Sequence, residues 1–406
     1  MTSLKTWSSG LVVVLAVGLV PTTSRAAATM DDLERRIESL ERELTDKDAE
    51  GMTAVDNKIM SAIDRALGQV EFHGFVDTSY FIAESIDPVT GNGTPQTGGS
   101  LSTFSLNQVE LRFSASTEWA AMLAEVEFFQ NPTNFPNGVN GDTASTDDVN
   151  LEQGWIAITP PSLPGFALKL GKFNAPIGLE SLDPDARMQV TNSAVFNDLA
   201  PFNLTGLLVE YKGERVGIEG FVANGWDVDL DFQRDKTYGA RVSAGFGPLG
   251  LYFTYIGGKE NGATNRHVFD GVVTLEPDLG GDFGIFAGFE INQGWENNTD
   301  VDGSDLTWWG LIAKTRLTYD KFGLTLRYDY VHSPDFGSPL AGWGTGMSNV
   351  NLISYTVSPS YDITDNMIAR LEYRYDDSNG ANPFILRDGR RVRDNNTFFA
   401  QFIYHW

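Results

Sequence analysis

The side chains able to do chemistry in this chain fall into two sets. The first is the histidines, His73, His267, His332 and His405. His332 stands beside Ser333 and Asp335, the residue types of an acyl-transfer triad, but adjacency in sequence is not triad geometry. There is no Gly-x-Ser-x-Gly, His-Glu-x-x-His or phosphate-binding Gly-x4-Gly-Lys stretch. The chain has no cysteine, hence no thiolate nucleophile and no thiolate metal site. "DVDGSD" (300–305) is too short for a calcium loop and lacks its distal Glu. We therefore expect no enzyme, no catalytic residue, no cofactor and no metal.

The second set is more informative. Charges recur at every second position: Glu110 and Arg112; Glu125 and Glu127; Lys314 and Arg316; Arg327 and Asp329; Arg370, Glu372 and Arg374. A spacing of two places side chains on one face of a strand. Rows of charge facing water make and break no bonds, but they set up a field that orients and selects charged solutes.

The elements that must carry these rows are strands. From Val70 to the C-terminus apolar and polar residues alternate, segment after segment. "VELRFSASTEW" sorts Val109, Leu111, Phe113 and Ala115 from Glu110, Arg112, Ser114 and Ser116. "FGLTLRYDY" and "MIARLEYRY" behave alike, while 149–158 and 266–276 alternate poorly. Short turns near 119–120, 160–165, 212–215, 247–250, 277–281, 320–321 and 362–365 alternate with long polar segments at 84–103, 131–147, 174–203, 227–234, 258–265, 293–305, 333–348 and 377–394. This predicts about sixteen antiparallel strands in an up-and-down transmembrane β-barrel, with short turns on the periplasmic side and long external loops. Tyr80, Trp119, Tyr319, Tyr328, Tyr330, Tyr373, Tyr375 and Tyr404 would form its aromatic girdles. Such a barrel must close, because lipid offers no partner to an open strand edge. The final strand, "NTFFAQFIYHW", should therefore pair with the first near Val70 and turn Phe398, Ala400, Phe402, Tyr404 and Trp406 to lipid.

Ahead of the barrel, Lys5, the apolar run 11–20 and the small residues Ala26 and Ala28 read as a signal peptide, 1–28. Residues 29–69 read as a periplasmic helix whose seam Leu33, Ile37, Leu40 and Leu44 has heptad spacing. Arg36 and Glu41 flank that seam as in short trimerisation motifs. The barrel occupies 70–406. The net charge of −25 excludes a nucleic-acid partner.

The opening "FHGFVDTSY", the short coiled coil and the stretch "LKLGKFNAPIGLE" (168–180) resemble the OmpL-like β-barrel porins of the bacterial outer membrane, with a looser likeness to phosphate-selective porins. The resemblance implies passive movement of small hydrophilic solutes and ions through a water-filled lumen. Ending on an aromatic resembles the C-terminal signature that barrel-insertion machinery reads, here Phe402, Tyr404 and Trp406.

The longest loop, 174–203, is the expected constriction. Glu180, Asp183 and Asp185 are expected to face a basic wall of Lys314, Arg316, Arg327, Arg370 and Arg374, with Arg112 and Lys169 on a mainly acidic wall. Trp308, Trp309 and Trp343 are candidates for sugar contacts or for the girdles. Expected partners are solutes or ions, the lipid bilayer, the insertion machinery and two further copies in a homotrimer. The alternative is an envelope tether or adhesin, its helix held on peptidoglycan.

Overall fold

The computed structural model describes residues 70–84, 101–128, 149–232, 234–260, 264–297, 305–333, 350–379, 382, 384–386 and 390–406. The proposed signal peptide, the helical seam from Leu33 to Leu44 with Arg36 and Glu41, Asp335 and Trp343 lie outside the described residues. The unit Gln69–Trp406 is the barrel.

Sixteen antiparallel strands close into that barrel, each hydrogen-bonded to its neighbours in chain order. The first strand, Val70–Ala83, pairs with the last, Asp394–His405, from Phe75↔His405 to Ala83↔Thr397. The Trp406 amide donates to the Gly74 carbonyl at 3.1 Å, and its ring packs on Phe72. The Trp406 ring thus covers the outer side of the seam between the two strands.

The barrel is apolar outside and polar inside, the reverse of a protein dissolved in water. Phe253, Leu371, Phe402 and Tyr404 are exposed on the outer face. Glu110, Glu290, Glu372, Arg374 and Gln401 are buried on the inner one. Lipid makes this pattern favourable, since outward apolar rows meet hydrocarbon and inward polar rows find partners. Of the eight aromatics expected in girdles, seven lie on outward strand rows and Trp119 is exposed in the turn 117–119.

All seven short turns fall where the periodicity places them. The connection expected over 258–265 is shorter than that: the preceding strand runs to Glu260 and the next starts at Thr264, with three residues between them. The poor alternation of 149–158 has a local cause, a β-bulge. Glu125 pairs with Gln153 and Val126 with Leu151, leaving Glu152 unpaired in the register. In 266–276 the inward Val268 packs on an internal loop instead of facing water. Within the last external connection, Phe384–Ile385 pairs with Arg391–Val392, and the buried Phe384 joins a cluster with Leu306 and Trp308.

Candidate functional site: an internal loop and the wall that holds it

The loop between the fifth and sixth barrel strands, 175–202, lies inside the barrel. Its neck is closed by the Asn174–Asn203 pair: the Ala175 amide donates to the Phe202 carbonyl at 2.8 Å, and the Asn203 side-chain amide to that of Asn174 at 2.8 Å. The stretch that carried the porin resemblance makes this exit. Gly171 has φ +139 and lies so close to Gly154 that an added Cβ would sit 2.1 Å from its carbonyl oxygen. Phe173 and Ile177 are buried against Leu204, Ile256 and Val268. Thr254 donates to the Pro176 carbonyl at 3.0 Å, and the Gly178 amide donates to Asp270 at 3.2 Å.

Glu180 is the electrostatic centre of the loop. Its carboxylate lies 2.6 Å from Lys314 and 3.2 Å from Arg327, and accepts from the Ser193 amide at 2.6 Å and from Gln189 at 2.6 Å. Burial works against its charge, but the two cations and the donors prevail and hold the carboxyl below the usual range. Asp183 and Asp185 behave differently from expectation. They meet Arg112, each at 3.0 Å, and not the basic wall. Arg112 is also paired with Glu110 and Glu125, so a guanidinium of the acidic wall holds these loop acids. Burial pushes the Asp183 carboxyl up despite that partner.

The basic wall serves the loop mainly by donating to its backbone. Arg370 donates to the carbonyls of Pro184 and Arg187, both at 2.7 Å; Arg374 to Asn192 at 2.7 Å; Arg327 to Thr191 at 2.5 Å; Arg316 to Met188 at 3.0 Å. Carboxylates of the wall complete the fastening. Glu372 accepts from the amides of Val190 and Thr191, and Glu290 from that of Leu179 at 2.8 Å. The short helix Ala194–Leu199, capped by Ser193, buries Ala194, Val195 and Leu199 against Leu306, Trp308, Ile312, Val331 and Leu352. A loop carries unsatisfied backbone groups wherever it goes, and a polar wall is what lets this one stay inside.

The basic wall faces the loop and is largely closed to water by it. Arg327 and Arg374 have fully buried side chains, ion-paired to Asp329 at 2.8 Å and to Asp376 at 2.7 Å, while Lys314 and Arg370 are also buried. Arg316 alone among the five stays partly exposed, at one side of a cavity of about 480 Å³ lined also by Met188, Phe286, Thr318 and the turn 276–284. Lys169, paired with Glu210 at 3.1 Å and set over the Trp155 ring, stays partly open on the other wall. Trp308 is core packing under the helix, and Trp309 lies beside Tyr330 and His332 on the outer row. His332 bonds Asn351 at 2.5 Å, and His267 bonds Tyr255 at 2.9 Å and stacks on Trp295.

Sequence reasoning missed the receiving residues Asp270, Glu290 and Thr254. Their signal was present, as polar side chains on inward rows, but nothing in the spacing says which of them meets a loop. Glu152 was hidden by the bulge.

The sequence of residues 69–406 matches the family described as beta-barrel porin-2, OmpL-like, and the chain belongs to that family. No curated protein matches it. Among solved structures it is similar to the anion-selective porin from Comamonas acidovorans, at 11% identity and TM-score 0.54, covering 83% of this chain and 99% of that one. It is also similar to a loop-deletion form of OmpT, an outer membrane protein of Vibrio cholerae, at 13% identity and TM-score 0.53, covering 83% and 99%. A third is OprB of Pseudomonas putida, at 11% identity and TM-score 0.51, covering 86% and 97%. At these identities the likeness is one of fold. The chain is an outer-membrane β-barrel of the porin type.

Proposed function

We propose that this member of the OmpL-like β-barrel porins forms a narrow water-filled channel for passive diffusion of small hydrophilic solutes and ions, with loop 175–202 as its constriction. The observation that carries this is the seating of the loop. A polar inner wall holds it through Glu180–Lys314, Arg112–Asp185 and a run of backbone contacts from Leu179 to Asn192. A barrel of about sixteen strands leaves an aqueous lumen, and a loop fixed inside it narrows the path.

Within this reading the charged residues divide by task. Arg112, Lys169, Asp183, Asp185 and Arg316 keep partial access to water and set selectivity. Glu180, Lys314, Arg327, Arg370 and Arg374 position the loop. Phe402, Tyr404 and Trp406, at the closing strand's end, serve as the signal for barrel insertion. Residues 29–69 form the assembly helix of a homotrimer through Leu33, Arg36, Ile37, Leu40, Glu41 and Leu44. The protein carries out no bond-making step in this reading.

Planar-bilayer recording of the detergent-folded protein tests it. Stepwise ohmic conductance supports the channel, and grouping in threes supports the trimer. Silence from folded protein would instead favour the tether, and removing residues 29–67 would then detach the protein from peptidoglycan.

A further inference from the structure

We infer that Glu110, Glu127 and Glu152, on the second, third and fourth strands, form a binding site for a hard divalent cation, Ca²⁺ or Mg²⁺, in the lumen wall. Each is almost wholly buried, at 0%, 2% and 2% exposure, and one carboxylate oxygen from each lies within 4.8 Å of the others. Three carboxylates in one buried place repel one another unless a cation or shared protons separate them.

Glu152 is what distinguishes this group from an ordinary acidic patch. No amide, hydroxyl or cationic donor reaches either of its buried oxygens, and the group within reach is another carboxyl, that of Glu127. Its companions are supplied with donors: Gln108 donates to Glu110 at 3.0 Å and to Glu127 at 2.6 Å, Asn150 donates to Glu127 at 2.9 Å, and Arg112 pairs with Glu110. The fold also goes out of its way to place Glu152 there. The bulge leaves Leu151 exposed on the lipid side, while Glu152 and Gln153 both turn inward, where a regular strand would alternate. Bulges re-aim side chains in this way beside functional sites.

Arg112 does not neutralise the group, because it is already divided among Glu110, Glu125, Asp183 and Asp185. Carboxylate oxygens are the ligands that Ca²⁺ and Mg²⁺ take, and Ca²⁺ tolerates irregular geometry better. Rotation of the Gln108 amide would add a neutral oxygen to the set. An ion seated here would lie beside the Arg112–Asp183–Asp185 contact and reduce the negative field of that wall. The site itself does not depend on the channel reading, and calorimetry does not require an open pore.

The test is a calorimetric titration of the full folded chain in detergent, stripped with EDTA, with CaCl2 and separately MgCl2 at neutral pH. We expect one equivalent of cation bound per chain. Glu152→Gln and Glu127→Gln should each abolish that equivalent, whereas Glu214→Gln, on an exposed turn, should retain it. Folding of every variant is checked by the heat-dependent mobility of the barrel on gels. Absence of binding by folded wild-type protein would overturn the inference, as would an unchanged titration of Glu152→Gln. If the wild type binds nothing and Glu152→Gln melts higher, shared protons hold the group together and the cation site is refuted.

Discussion

Thr191 of the internal loop is held twice by Glu372 of the barrel wall: its amide donates to the carboxylate at 3.1 Å and its hydroxyl at 2.5 Å. Both residues are fully buried. Around this contact the wall offers acceptors to the loop's amides and donors to its carbonyls, so that the loop is bound along its length. Charge-assisted hydrogen bonds of this type are stronger than neutral ones.

Glu180→Gln should loosen the loop. The substitution leaves Lys314 buried without its 2.6 Å partner, and breaking a buried pair in this way costs about 3–5 kcal/mol. We expect faster proteolysis within 180–195 and a larger, noisier conductance. Because the Glu180 carboxyl is held below its usual range, its contribution is present above the unfolded value and lost only as pH falls through the lower folded one. The difference in conductance between wild type and Glu180→Gln should therefore persist through mildly acid pH, and its disappearance near pH 5 would contradict this assignment.

Charge reversal separates the two tasks given to the basic residues. Arg316→Glu, beside the cavity, should move the reversal potential toward cation selectivity with the barrel intact. Arg374→Glu should instead lower folded yield, because it sets a buried carboxylate against Asp376 and abandons the Asn192 carbonyl. Equal shifts of reversal potential from both variants would refute the division.

Asp227, in the connection 224–236, has φ 53 and accepts from the amides of Phe202 and Asn203 at 2.8 and 2.7 Å. Burial outweighs those two donors and pushes its carboxyl up to about 6. A group raised in the folded state favours folding fully below its unfolded value and loses that advantage as pH rises through about 6. Asp227→Asn keeps an accepting oxygen and tolerates positive φ. It should therefore stabilise the barrel by roughly 1–2 kcal/mol at pH 8 and by little at pH 4. Thermal melts at the two pH values measure the difference.

The outer face gives an independent check of the membrane orientation. Leu371 is exposed on the lipid side between the buried Arg370 and Glu372. Leu371→Arg should cost up to about 2–4 kcal/mol in folding into lipid vesicles, more the nearer it lies to the midplane. Leu371→Val should cost little.

Much of this fold was legible because lipid imposes a strict rule. Closure, inward polar rows and turns of alternating length follow from pairing every backbone group, and all three leave marks in the sequence. The loop's identity was legible too, from its length and from Gly171, Pro176 and Glu180. Its partners were not. Period-two spacing tells which face Arg370 and Arg374 occupy, but not whether water or a folded-in backbone fills the space before them. Asp183 and Asp185 went to Arg112 because the loop crosses the lumen toward the second strand, a path set by tertiary packing of Ala194, Val195 and Leu199 under Trp308. Glu152 escaped notice because one extra residue in a strand reverses the apparent face of everything around it.

The most direct measurement is single-channel recording of the detergent-folded protein in a planar bilayer under a KCl gradient, with Glu180→Gln beside the wild type. We predict small stepwise openings for the wild type, larger ones for the variant, and a reversal potential that Arg316→Glu displaces. Silence from both proteins, each shown to be folded, would contradict a channel narrowed by loop 175–202.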